Sequence, residues 1–204
     1  KEIFKSFIKY YDPEIFVAAG RRIRTTVLSA DELSPTERVK RIAQLFTCFK
    51  NPDKETVLTP WRVVNMHMSD CLGGYDFYDE AHEQMIDEPR FVNHGNVTAD
   101  TFANADARVL EINSKTGLYP LYVTYSIFRS RCAACSEEAL DDAKLQQLWD
   151  AAVRENVFVI CKTPMAKQIT RRTLVGYRDI SVNAHYFDNL INICLLYTSD
   201  AADE

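Results

Sequence analysis

The spacing of apolar positions changes along the chain, and each change marks a different element. From Ser34 onward, Val39, Ile42, Phe46 and Phe49 recur on one helical face. Ser34-Pro35-Thr36-Glu37 precedes them with the spacing of a capping box and a proline at the first helical position. Asn51-Pro52-Asp53 ends that helix. A second follows Thr59-Pro60, with Val64, Met68 and Leu72 on one side and Gly73-Gly74 as its stop. Residues 75–104 show neither period, and turn residues at Asp87-Glu88-Pro89 and Asn93-His94-Gly95-Asn96 predict an irregular stretch.

Beyond it the chain alternates. Arg108-Val109-Leu110-Glu111-Ile112 is a short apolar run that predicts a strand, and Leu118, Leu121, Tyr125 and Phe128 then repeat at helical spacing. A capped helix is expected after Ser136, carrying Leu140, Leu148 and Ala152. Val157-Phe158-Val159-Ile160-Cys161 predicts a buried strand stopped by Lys162-Thr163-Pro164, and residues 180–184 a third strand. Strands alternating with helices predict an α/β fold with a parallel sheet, preceded by a helical region over residues 1–56.

Composition narrows the class. The 204 residues are 47% hydrophobic, enough for one sizeable core. No apolar run approaches the roughly 20 residues that cross a bilayer, so no membrane partner is expected and a cytoplasmic setting is the default. The chain starts at Lys1, and its last stretch, residues 194–204, reads as an in-frame translation of a sequencing-library adapter. Both ends are expected to be truncations. Without Asp200, Asp203 and Glu204 of that tail, 24 cationic side chains face 26 anionic ones, too even a balance to hold a polyanion by charge alone.

The candidate chemistry lies at the first turn of the alternating region. Glu111-Ile112-Asn113-Ser114-Lys115-Thr116-Gly117 places a carboxylate at a strand end and a glycine at a helix start six residues later. Ligands of doubly wound sheets sit beyond the carboxyl ends of the strands. A helix N-terminus there offers free N–H groups to an anion, and a strand-end acid can face a cation. S-adenosylmethionine carries both charges and a ribose.

This turn resembles motif I of adenine methyltransferases, an Asp-Pro-x-x-Gly-x-Gly loop, with Glu111 in the acid's place and Gly117 as the last glycine. Ile112 replaces the family's proline and Lys115 its middle glycine. Upstream, Leu58-Thr59-Pro60-Trp61-Arg62-Val63-Val64-Asn65-Met66 resembles motif X, whose Thr-Pro turn packs over the cofactor's methionine part. Motif X before motif I is the order of the γ class, chiefly N6-adenine enzymes. Over roughly residues 30–193 the chain is similar to the methylase portion of restriction-modification proteins. The resemblance implies a Rossmann-like S-adenosylmethionine-dependent fold, here an incomplete parallel sheet over residues 57–193. It also implies S-adenosyl-L-methionine as cofactor, held by Thr59, Pro60, Glu111, Asn113, Ser114, Lys115, Thr116 and Gly117. DNA is the implied partner of the full enzyme, with a linked nuclease or helicase domain as a further possibility. No Asn-Pro-Pro-Tyr catalytic tetrad occurs in the chain. The family's ribose-binding acid is missing too, since the second strand ends in Cys161-Lys162-Thr163, and Asp188 is a candidate for the later strand-end acid near the adenine.

Other features read more plainly. Ser114-Lys115-Thr116-Gly117 lacks the glycines of a phosphate loop. Cys132-Ala133-Ala134-Cys135 has no second ligand pair, and reduced structural cysteines are expected. His67, His82, His94 and His185 have no metal-ligand spacing. Trp61 and Met66 read as core residues, and Lys167, Arg171 and Arg172 as a solvated helix face rather than a DNA contact. Two other classes of function remain open: a non-catalytic α/β scaffold or specificity segment, and a methyltransferase acting on RNA or protein.

Overall fold

A computed structural model describes residues 12–51 and 57–187. Helix α1 (Pro13–Ala30) starts at Asp12, whose Oδ1 accepts from the backbone N–H groups of Glu14 and Ile15. Helix α2 (Pro35–Thr47) starts where the sequence predicts, with Ser34 Oγ accepting from Glu37 N at 3.4 Å. The Glu37 carboxylate does not complete the box but turns to Lys40. Val39 and Ile42 are buried, whereas Phe49 lies past the helix end and is 43% exposed. Of the predicted stop at residues 51–53, positions 52 and 53 lie outside the described residues.

Helix α3 (Trp61–Leu72) buries Val64 and Met68 and ends at Gly73, in the left-handed region at φ 75°. The stretch expected to be irregular then forms an antiparallel hairpin, β1 (Gly74–Tyr78) and β2 (Met85–Val92). The predicted turn Asp87-Glu88-Pro89 lies inside β2, in the part where the register shifts, and a missing N–H is tolerated at such a position. What holds the hairpin is buried charge. Asp76 is fully buried, and its Oδ2 accepts from His82 Nε2 and Arg90 Nη2, both at 2.7 Å. Its Oδ1 accepts from Tyr78 N, while Arg62 Nη1 donates to the carbonyl of His82, a residue held at φ 53°.

The second sheet is parallel, with strands in the order β3 (Val109–Ser114), β4 (Val157–Cys161) and β5 (Asn183–Tyr186). Helices α4 (Leu118–Ala133) and α5 (Asp142–Glu155) connect β3 to β4, and α6 (Pro164–Val175) connects β4 to β5. Two expected boundaries move. Ser136 opens only a 3-10 turn, Glu137–Ala139, and α5 is capped instead by Asp141, whose Oδ1 accepts from Lys144 N at 2.7 Å. Strand β5 begins at Asn183, whose side chain donates to the carbonyls of Arg154 and Val157.

Helix α4 is buried around its whole circumference over its middle turns: Leu121, Tyr122, Thr124, Tyr125 and Ser126 are each fully buried. Such a helix belongs at the centre of a core rather than on its surface. The sheet lies on one side of it, the hairpin and α3 on another, and Tyr125 reaches the hydroxyl of Thr36 at 2.8 Å to bring in α2. On the sheet, Val157, Val159, Cys161 and Ala184 are buried, while Leu110 and Ile112 of β3 stay 53% and 55% exposed. The protein is thus mixed α/β with a small parallel sheet. Among the described residues no helix is long and apolar enough to cross a membrane.

Removing the Asp76 carboxylate leaves His82 and Arg90 facing an emptied, buried position. Asp76→Ala is expected to cost about 3–5 kcal/mol in denaturant unfolding, the range for breaking one side of a buried ion pair. A loss below about 1 kcal/mol would show that the cluster does not hold the hairpin.

Candidate functional site

The turn after β3 is shaped by α6. The register shifts between Ile112 and Ser114, with Asn113 exposed and in the left-handed region at φ 68°. Ser114 is thereby turned inward, its Oγ 3.2 Å from Thr170 Oγ1. The Thr173 hydroxyl donates to the Thr116 carbonyl at 2.6 Å. Gly117 follows at φ 76°, and a Cβ there would lie 3.0 Å from Thr170 Cα. The glycine is required by a strained backbone and by close packing on α6.

This clamp aims the start of α4 at the segment before α3. A cavity of about 250 Å³ is lined by Thr59, Pro60 and Trp61 on one side and by Thr116 and Leu118, the two neighbours of Gly117, on the other. Phe46 and Phe49 complete the apolar part of its wall. Helices α3 and α4 both begin at this cavity, and neither has a side-chain cap. Uncapped helix N-termini carry free N–H groups and partial positive charge. Trp61 is 3% exposed, and its Nε1 and Glu111 Oε2 are the buried side-chain polar atoms that have no hydrogen-bond partner among the described residues. The free N–H groups of the two helix starts at this cavity fit a carboxylate attached to an apolar body.

The other expected site residues point elsewhere. Lys115 crosses from the turn to the Val57 carbonyl, with Nζ at 3.3 Å, and so ties the turn to the chain ahead of Thr59. Glu111 lines a separate groove of about 390 Å³ along β3, an edge strand among the described residues, with Met68, Leu72, Tyr119 and Val123. Burial among these apolar walls raises its carboxyl to about 7, against a hydrogen bond from Ser114 that acts in the opposite direction. Burial, and then the nearby Glu111, likewise raise the Tyr119 hydroxyl. Thr59, Pro60 and Thr116 therefore share one cavity, and Glu111 belongs to another.

At the end of β4, Thr163 caps α6, its Oγ1 accepting from Ala166 N at 3.0 Å. Asp188 lies outside the described residues. Met66, expected in the core, is 40% exposed, because α3 turns its Val64–Met68 side inward. Trp61 is a core residue as expected, yet its orphaned N–H was not foreseen. Thr170 and Thr173 were also missed, although their i, i+3 spacing on a helix after a strand places two hydroxyls on one face. Ser69, His82 and Asp76 come together without forming a hydrolytic relay, since Ser69 Oγ and Asp76 Oδ2 both approach Nε2 of His82. No cluster of metal-binding side chains occurs among the described residues, and Cys132 and Cys135 are free thiols. No protein-family model matches the chain, and neither a curated protein nor a solved structure matches it significantly.

Two measurements test this geometry. Gly117→Ala is expected to destabilise by at least about 1–2 kcal/mol, the cost of a Cβ in left-handed backbone. A variant as stable as the parent would mean that the turn is not clamped on α6. Because Glu111 titrates higher in the folded protein than in the unfolded chain, its contribution to stability is full below its ordinary value of 4.5 and is lost as the pH rises through about 7. Glu111→Gln should flatten that decline, on the order of 2–3 kcal/mol. Unfolding curves at the two ends of that window would reveal no difference between the proteins if the carboxyl were solvated.

Proposed function

We propose that the chain is the S-adenosylmethionine-binding portion of a DNA adenine-N6 methyltransferase of a restriction-modification system, with a Rossmann-like fold. The observation that carries this reading is the cavity shared by the Thr59-Pro60 turn and the β3–α4 turn, beyond the carboxyl end of the first parallel strand. In the order β3-β4-β5 that strand has an unpaired edge among the described residues, the side on which a doubly wound sheet would reverse its strand order and bind its ligand. In this reading the cofactor's carboxylate engages the N-termini of α3 and α4 and takes up the unpartnered indole N–H of Trp61, a lining residue, with its apolar portion against Phe46 and Phe49.

Bound there, S-adenosylmethionine supplies an electrophilic methyl group. Its acceptor is the exocyclic amine of an adenine swung out of the duplex, since that nitrogen is not reachable within the base stack. The Asn-Pro-Pro-Tyr tetrad that orients the amine in this class is absent from the 204 residues, so binding without transfer is expected of the chain. DNA, and a linked nuclease or helicase, are partners of the full enzyme in this reading.

A second reading, a non-catalytic α/β scaffold, draws on two observations. Gly117 is accounted for by its packing on Thr170, and Glu111 faces a different groove from Thr59. Isothermal calorimetry separates the two. Saturable binding of S-adenosylmethionine, competed by S-adenosylhomocysteine, is expected. Trp61→Phe, which keeps an aromatic side chain but removes the N–H along with one ring, should weaken it by about 10–100-fold, as for a hydrogen bond to a charged group, while denaturant unfolding measures the separate cost of the lost ring volume. Absence of heat with the folded parent protein would leave the scaffold.

A further inference from the structure

A second and drier cleft adjoins the Thr59 cavity. It has a volume of about 380 Å³ and lies between α1, α2 and α6, where Val27, Ile42 and Thr173 are buried at its floor. Phe46 and Ile169 form walls, and Met165, 71% exposed, stands at its mouth. Among the described residues, the ionisable side chains on its lining that carry charge at neutral pH are Lys115 and Arg172, both cationic, and none is acidic. Neither cation has a carboxylate partner among the described residues. Lys115 donates to the Val57 carbonyl, and Arg172 donates to the Gly176 carbonyl while its guanidinium lies 4.1 Å from the centre of the Tyr177 ring.

The cleft runs from an exposed methionine at its mouth to a floor at Val27 and Ile42. The volume falls in the range of small-molecule sites, roughly 300–1,000 Å³, and is too confined for a protein element such as a helix some 10 Å across. Charge selects the ligand's other end. Two cations that form no ion pair among the described residues, at the border of an apolar surface, favour an anion and penalise a second cation.

We propose that this cleft binds an elongated apolar molecule with one anionic head, of the fatty-carboxylate class. The tail lies on Val27, Ile42 and Ile169, and the carboxylate is held by the cations of the lining. The site is distinct from the cofactor reading and does not depend on it. The two cavities do share Phe46, Phe49, Leu58 and Thr116, so an occupant of one alters the walls of the other.

Calorimetry on the full chain with monomeric dodecanoate, dodecanol and dodecyltrimethylammonium tests the proposal. The expected result is one saturable site for dodecanoate, with the neutral and cationic molecules weaker by about tenfold or more. The double variant Lys115→Gln, Arg172→Gln should remove that preference, and Ile169→Trp, which fills the cleft, should remove binding, each with an unchanged circular dichroism spectrum. Ile169→Val guards against a folding defect, since it keeps the apolar wall and should retain dodecanoate binding. Binding without head-group preference, no binding by the parent protein, or a preference that survives the double variant would each overturn the assignment.

Discussion

Two threonine hydroxyls on α6 govern the geometry around them. Thr170 and Thr173 take up Ser114 and the Thr116 carbonyl, and Gly117 brings the backbone close enough for both contacts to form. Every feature of the turn follows from that clamp. Ser114 is turned inward, Lys115 is sent across to Val57, and the first residues of α4 are left against the Thr59-Pro60 segment. Buried hydroxyls impose such geometry because each one left unpaired costs the desolvation of a polar group, so that misplaced arrangements are penalised along with favourable ones being stabilised.

The same economy of buried polar groups attaches the remaining layers. Arg38 of α2 is 5% exposed and donates to Asp31 and to the carbonyls of Thr173 and Arg172 at the end of α6. It joins the helical region to the helix that clamps the turn. Asp31 also accepts from Tyr177 N, so a single carboxylate serves both the cation and the chain leaving α6. On the opposite flank Asp76 gathers His82 and Arg90 and fixes the hairpin beside α3. Trp149 donates its indole N–H to the Leu174 carbonyl, completing the contact between α5 and α6. The N-terminal helices and the α/β part consequently share one core, and the cavities lie along the seams between them.

Glu111 shows how position within a sheet decides the chemistry of a residue. Along β3 its side chain shares a face with Val109 and alternates with the exposed Leu110 and Ile112. At the edge of β3 it faces an apolar groove, and desolvation rather than a charged partner sets its protonation. Leu110 and Ile112 on the same strand stay more than half exposed, while α4 and α6 pack against each other and against β3 and β4.

Periodicity and capping residues were sufficient to read α2, α3, α4, β3 and β4, since each has a local signal: Ser34 before Pro35, Gly73 after Leu72, the spacing from Leu118 to Phe128, and the apolar run from Val157 to Cys161. The proximity of Thr59 to the turn at Gly117 was expected only from the resemblance of the two segments to motifs X and I, in which the Thr-Pro turn packs over the ligand of the other loop. The hairpin was not legible, because its strands carry turn-forming residues and owe their pairing to a buried carboxylate bridging Asp76, His82 and Arg90. Tertiary structure alone decided that Glu111 faces a different cavity from Thr59, that Trp61 keeps an unpaired N–H, and that Gly117 packs on Thr170. Local sequence dictates which backbone conformations are cheap, but which side chains lose water depends on what the rest of the chain brings against them.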